Sequence, residues 1–275
     1  MSPAGPGLPG PALLFCPADR PDRYAKAARL ADAVVLDLED GVAPEHKDRA
    51  RDLLVAGLAG LDPDRVVVRV NAPGTPWWDA DVAAVRRAGV RLVMLPKAER
   101  PEDVEALAPA RVIALCETAA GVLAAPRLAA SPSCAALSWG AEDLAADLGG
   151  TAGRRPDGSY HDVARHARAQ VLLAAAAARR PAVETVHLDH DDLAGLAASS
   201  AEAAREGFSA RLCVHPSQVG PVREAFAPDD ADVEWARAVL EAAEHAPSGV
   251  FRFRGRMVDE PLLRQARAVL RRSGG

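Results

Sequence analysis

The sequence contains no stretch of about 18 uninterrupted apolar residues, the length a membrane-crossing helix needs. Its opening, residues 1–11, is rich in Pro and Gly and has neither the basic n-region nor the apolar h-region of a secretory signal. These absences lead us to expect a cytoplasmic protein with no membrane contact. A basic surplus is also missing: 33 Lys and Arg stand against 38 Asp and Glu, a formal net charge of −5. A nucleic-acid-binding face needs a dense Lys/Arg array to displace counterions, so we expect no nucleic-acid partner and leave room only for a local anion site. Cysteine is sparse and scattered. Cys16, Cys116, Cys134 and Cys213 form no CxxC pair, and each lies in an apolar, strand-like run. They read as reduced, buried thiols rather than a metal or disulfide set.

What is present suits one large core. The chain has 275 residues, 49% hydrophobic and 26% charged, and a barrel of eight βα units is complete at roughly 250 residues. Short apolar runs at 12–16, 33–37, 66–70, 92–96, 111–116, 134–139, 183–188 and 210–214 alternate with Ala/Leu/Arg segments of helical period. VVVRV and RVIALC are near-continuous hydrophobic runs, as strands buried on both faces of a parallel sheet should be. Eight strands with eight crossovers predict an α/β fold, a single (β/α)8 TIM barrel. Pro21 opens a helix ending near Leu30, Pro44 opens another running to Leu58, and Gly89 follows the third. The sixth unit carries a Gly- and Pro-rich loop, residues 149–160, before a helix over about 161–180. Beyond the barrel, patterns over 230–245 and 262–272 predict a C-terminal helical extension. The organisation expected is a flexible segment at 1–11, the barrel at 12–228, and helices and extension at 229–275 that can cover a neighbouring subunit. PSGVFRFRGR, which lacks helical period, suits a segment crossing to that neighbour.

Active sites of such barrels lie at the C-terminal strand ends. The polar residues falling there are Asp37, Glu39 and Asp40 after the second run, Arg69 and Asn71 at the third, Lys97 after the fourth, Glu117 after the fifth, Asp143 past the sixth and His215 after the eighth. Glu117 and Asp143 follow neighbouring strands, so they either share a hard divalent cation or cap the helices that start beside them. Arg69 interrupts a buried run; it either pairs with Asp37 or Glu39 or points at substrate. Lys97 either neutralises an anion or caps a loop, and His215 is either structural or catalytic. Trp77, Trp78 and Trp139 are the bulky residues expected to shape the pocket there.

The segments LLFCPADRPDRYAKA, VVLDLEDGVAPEHK, VVVRVNAPGTPW, LVMLPKAE, IALCETAAGV, LSWGAEDLAADLGG, RLCVHPSQV and GRMVDEPLLRQA, in that order, resemble the citrate lyase beta-subunit-like (CitE-like) group of the HpcH/HpaI aldolase superfamily. The resemblance implies a barrel enzyme, a homotrimer or hexamer, that uses Mg²⁺ to make or break a C–C bond in a malyl-CoA, citramalyl-CoA or citryl type of thioester. CoA thioester and 2-oxo acid are the implied small-molecule partners. The resemblance also implies roles: Glu117 and Asp143 as metal ligands, Arg69 as the arginine on the substrate's oxygens, and Glu39 and Asp40 as the acidic pair near the metal's waters. Val214 and His215 then border the thioester pocket, and Asp259 is the catalytic aspartate lent by a neighbouring subunit. A thioesterase on the same scaffold, or a non-catalytic subunit binding CoA or an acyl carrier, are the competing expectations.

Overall fold

Eight short strands, β1 (Ala12–Pro17), β2 (Ala33–Asp37), β3 (Val66–Arg69), β4 (Leu92–Leu95), β5 (Arg111–Cys116), β6 (Cys134–Trp139), β7 (Ala182–Glu184) and β8 (Ala210–Cys213), pair in sequence order as a closed parallel barrel. The computed structural model describes residues 8–246 and 249–273. Of the 1–11 segment expected to be flexible, residues 1–7 lie outside those described. Closure is made by β1 and β8, which register Leu13 against Leu212. The fold is the (β/α)8 barrel expected.

Period-two alternation fills the barrel. Leu13, Val35, Val67, Met94, Ile113, Leu115, Val183 and Leu212 form one buried cluster drawn from seven of the eight strands, with Ala136 adding the sixth. Each large member removed from water contributes about 1.5–3 kcal/mol. The helices form the outer ring. α1 (Pro21–Leu30) starts with Pro at its first turn and buries Tyr24 and Ala27; the Tyr24 hydroxyl donates to the Ala18 carbonyl at 2.5 Å. α2 (Lys47–Gly57), α3 (Trp78–Arg87), α4 (Pro101–Glu105), α5 (Ala119–Ala130), α6 (Ala141–Asp147), α7 (Asp162–Ala177), α8 (Leu193–Glu206) and α9 (Val219–Phe226) complete the set. All four cysteines are buried, and no two of them form a disulfide. Among the described residues, no helix is long and apolar enough to cross a membrane.

Two differences from the expectations have physical causes. β7 ends at Glu184 instead of running on to Leu188, because Thr185, Val186 and Leu188 turn to line a cavity. The loop over 149–160 is not featureless: Arg154 bridges Tyr160, and Gly158 makes the turn at φ +82°. The Arg154 guanidinium stacks 3.8 Å from the Tyr160 ring centroid, and Tyr160 meets Trp139 edge-on at 5.1 Å.

The chain divides into two compact units between Val222 and Arg223. Within the second, α10 (Asp230–Glu244) and α11 (Glu260–Ser273) enclose a small core of Ala236, Val239, Val258, Leu263 and Ala266. The segment read as a crossing strap contains an antiparallel hairpin: β9 (Phe251–Phe253) pairs with β10 (Arg256–Val258). Its two turn residues, Arg254 and Gly255, both have positive φ, the tight turn that matches strand twist. Pro247 and Ser248 of that segment lie outside the described residues.

Candidate active site

Strand alternation places the site. Val35, Val67 and Leu115 point into the barrel, so Asp37, Arg69 and Glu117, each two residues further on, crown that core. Arg69 is a three-way bridge. Its Nε and Nη2 each donate to an Asp37 carboxylate oxygen at 2.7 Å, while Nη1 lies 2.9 Å from Glu39 Oε2 and 3.8 Å from Asp40 Oδ2. Its guanidinium also sits 4.7 Å from the Phe15 ring centroid. Burial works against this charge, but the hydrogen bonds and fields of Asp37, Glu39 and Asp40 hold its pKa above the ordinary arginine value. Of the two readings of Arg69, the ion pair is formed, and the guanidinium nonetheless lines the cavity. Asp37 is fixed from behind by the backbone N–H groups of Glu39 and Gly41, both at 2.8 Å. A Cβ on Gly41 would lie 2.5 Å from Asp37 Oδ2.

The second cluster is built on Lys97. Its Nζ lies 2.7 Å from Glu39 Oε1, 3.2 Å from Asp143 Oδ1 and 3.7 Å from Glu117 Oε1. Its backbone takes the left-handed conformation, φ +48°, and its N–H donates to Glu117 Oε1 at 3.1 Å. Glu39 is held in place by a buried lysine, Lys47, whose Nζ donates to the Leu38 and Glu39 carbonyls at 2.8 and 2.7 Å. Burial raises the Glu39 pKa, with Arg69 and Lys97 opposing. Burial, reinforced by the charge of Asp143, pushes the Glu117 carboxyl up to about 8. Glu117 does not cap α5: the Thr118 hydroxyl does, accepting the Gly121 N–H at 3.0 Å. Asp143 lies in the first turn of α6, with its side chain 41% exposed.

These carboxylates fit a hard divalent cation. Glu117 and Asp143 supply oxygens only, they converge on one ammonium, and buried Glu39 Oε2 has no hydrogen-bond partner beyond its off-line ion pair with Arg69. Gly140 lets β6 approach Glu117 closely, since a Cβ there would lie 2.7 Å from Oε2. A cavity of about 430 Å³ opens beside them, lined by Asp37, Arg69, Glu117 and Asp143 together with apolar Phe15, Leu115, Trp139, Leu212 and Val214. Asp189, His190 and Asp191 also bring ligand atoms within 4.8 Å of one another, but all three are exposed, and Asp189 already accepts the N–H groups of Asp191 and Asp192.

The remaining expected residues separate. Asp40 and Val214 line the cavity. His215 does not; its Nδ1 accepts the Ser217 N–H at the start of a short 3₁₀ turn, and its ring meets His190 edge-on at 5.2 Å. Trp139 is in the cavity wall, its Nε1 donating to Glu184 at 2.6 Å. Trp77 and Trp78 are not; Trp77 lies under the Lys47 ammonium, 4.9 Å from its ring centroid. Asn71 is a support, donating to the Leu38 carbonyl and to buried Asp81. Asp259, in the second unit, accepts the Leu262 N–H at 3.4 Å at the head of α11. Sequence reasoning missed Phe15, Arg154 and Tyr160, although the length of the 149–160 loop was a signal for the last two.

Comparisons with known proteins identify the family. The family model described as HpcH/HpaI aldolase/citrate lyase matches residues 12–216. A citrate lyase subunit beta-like protein of Mycobacterium tuberculosis is 51% identical over 96% of this chain and 96% of its own. An L-malyl-CoA/beta-methylmalyl-CoA lyase of Cereibacter sphaeroides is 33% identical over 99% and 97%. The crystal structure of Mycobacterium tuberculosis CitE in complex with magnesium, acetoacetate and coenzyme A superposes with a TM-score of 0.91 at 50% identity, covering 97% of this chain and 98% of that one. The metal-fitting carboxylate pair, the closed barrel and these likenesses converge: the chain belongs to the HpcH/HpaI aldolase/citrate lyase family.

Proposed function

We propose that this chain is a Mg²⁺-dependent carbon–carbon lyase that cleaves or forms a 3-hydroxyacyl-CoA thioester of the malyl, citramalyl or citryl type, giving a 2-oxo acid and acetyl-CoA. The observation that carries the reading is the convergence of Glu117 and Asp143 on the Lys97 ammonium, with Glu117, Asp143 and Arg69 lining a cavity that apolar side chains also line. Glu117 and Asp143 would hold the metal. When bound, Mg²⁺ supplies Lewis-acid polarisation and a template for the carboxylate and carbinol oxygens.

The chain's own residues do the rest. Arg69, with two of its nitrogens committed to Asp37, is oriented by that bond and presents fixed positive charge where an oxyanion develops, at no reorganisation cost during reaction. A base takes the hydroxyl proton as the C–C bond breaks, and the enolate of acetyl-CoA then takes a proton; in synthesis the same base makes the enolate. We assign the base to Asp259 of another copy of the chain in a homo-oligomer, on the resemblance of GRMVDEP to that element of the family. Phe15, Leu212 and Val214 give the cavity apolar lining, which would disfavour water beside the enolate.

The reading is tested by incubating the protein with Mg²⁺, acetyl-CoA or propionyl-CoA, and glyoxylate, pyruvate or oxaloacetate, identifying new thioesters by mass. Formation of a 3-hydroxyacyl-CoA that disappears with EDTA is expected. Release of free CoA from malyl-CoA without a 2-oxo acid would make the protein a thioesterase. Binding of CoA with no turnover of any pair would make it a binding subunit.

A further inference from the structure

We propose that Lys97 is a positioning residue of the metal site, a resident counter-cation that holds Glu39, Glu117 and Asp143 together in the metal-free protein and sets how tightly a divalent cation binds. The inference rests on the reading of Glu117 and Asp143 as the metal pair.

Three observations carry it. First, the ammonium is shared by three carboxylates, at 2.7 Å from Glu39, 3.2 Å from Asp143 and 3.7 Å from Glu117. A lysine placed only to cap a loop would have no reason to reach all three. Secondly, the chain accepts a strained backbone to put it there. Lys97 has φ +48°, a conformation costly for a residue with a side chain, and that conformation sends its N–H to Glu117 as well. Thirdly, carboxylates outnumber cations. Asp37, Glu39, Asp40, Glu117 and Asp143 form ion pairs with Arg69 or Lys97, so five acidic groups share two basic ones and a further cation would offset part of the excess. Lys97 therefore does two opposing things. It offsets the repulsion that would otherwise spread the carboxylates, and it repels the ion that they attract. Its shortest contact is to Glu39, outside the metal pair, so it can keep that partner while giving up Asp143 and Glu117.

The sign of one measurement separates this role from plain scaffolding. Lys97→Met keeps most of the length of the side chain and removes the charge. Mg²⁺ affinity of the metal-free, full-length protein is measured by titration calorimetry, and thermal melting is followed with and without Mg²⁺. A counter-cation predicts a lower melting temperature without metal, Mg²⁺ bound about tenfold more tightly because an adjacent positive charge is gone, and a larger gain in melting temperature on adding Mg²⁺. Lys97→Arg, which keeps the charge and adds bulk, should bind Mg²⁺ no more tightly than the parent. Mg²⁺ binding that is weaker or unchanged in folded Lys97→Met overturns the proposal and leaves the lysine a scaffold. Should Lys97→Met not fold, Lys97→Gln, which can still donate to Glu39, is read by the same criterion. Glu117→Ala distinguishes the levels: if it binds Mg²⁺ as the parent does, the metal pair itself is misassigned, whereas Glu117-dependent binding that ignores Lys97 sinks only the present inference.

Discussion

Gly140→Ala tests the metal pair without touching a charge. Gly140 precedes α6 with φ −131° and ψ 126°, a conformation open to any residue, so alanine brings no backbone strain. Its Cβ would lie 2.7 Å from Glu117 Oε2 and 2.9 Å from Glu117 Cβ, about 0.7 Å inside ordinary contact. The carboxylate end can swing, but the Cβ cannot, because Glu117 is 3% exposed and its other oxygen accepts the Lys97 N–H. Glu117 must therefore move as a unit by several tenths of an ångström. Overpacking of this kind costs about 1–3 kcal/mol, and a chain of this length loses about 2–4 °C in melting temperature per kcal/mol. The metal should suffer more than the fold, because Mg²⁺ tolerates little departure from octahedral oxygens at about 2.0–2.1 Å. We expect Mg²⁺ affinity to fall by roughly ten- to a hundredfold, read by calorimetry, with circular dichroism unchanged. Gly60→Ala is the control, since a Cβ there meets nothing within 4 Å. A folded Gly140→Ala protein that binds Mg²⁺ as the parent does would refute the assignment of Glu117.

Arg69→Lys should lose nearly as much turnover as Arg69→Ala, because one ammonium cannot span two Asp37 oxygens and still face Glu39; full activity in a folded Arg69→Lys protein would contradict this. Mg²⁺ affinity should climb about tenfold per pH unit through pH 6 to 8 and level off above, as the Glu117 proton held by burial no longer has to be displaced; calorimetry giving a flat profile would count against it. In the metal-free protein the sign is opposite. A carboxyl whose folded pKa is raised from 4.5 to about 8 adds stability below its unfolded value, and loses it as pH rises through about 8, so melting temperature should drop over that window in the parent but not in Glu117→Gln. Asp259→Ala and Glu117→Ala, each inactive alone, should recover activity in hybrid oligomers; no recovery in hybrids shown to have formed would place Asp259 outside a shared site.

The barrel was legible because burial on both faces writes itself into composition. The runs at 33–37, 111–116 and 134–139 coincide with β2, β5 and β6, since a parallel strand covered by helices outside and by the core inside has no polar alternate. The same logic failed at β7. Thr185, Val186 and Leu188 continue an apolar run, but they face a cavity rather than a neighbouring strand, and hydropathy does not distinguish a wall that awaits a ligand from one already packed. The hairpin of the second unit was hidden for the converse reason. FRFRGRMV alternates with period two, as a strand does, yet Phe251 and Phe253 are only partly buried, Arg252 between them is exposed, and Phe253 registers against Arg256, so neither face is apolar enough to stand out.

The site was legible as a set of residues and not as a set of pairs. Position at strand ends collected Asp37, Glu39, Arg69, Lys97, Glu117 and Asp143, but which carboxylate belongs to which cation depends on barrel closure, and that is not a local property of any segment. Lys97 and Glu39 are 58 residues apart, Arg69 and Asp37 are 32 apart, and both pairs exist only because β2, β3, β4 and β5 are adjacent in the ring. Once adjacency is granted, the choice follows from reach. β3 registers Arg69 against Asp37, so a guanidinium on that neighbour meets the carboxylate side-on, through Nε and Nη2, and takes both oxygens. Lys97 comes from beyond β4, one strand further round, and a flexible chain ending in a compact charge is what can reach back to Glu39 and forward to Glu117 and Asp143 at once. An arginine at 97 and a lysine at 69 would carry the same net charge but would leave Asp37 with one bond to its cation in place of two and set a bulky planar fork among the metal-binding oxygens. The order of these two cations around the barrel thus follows from geometry that neither residue displays alone.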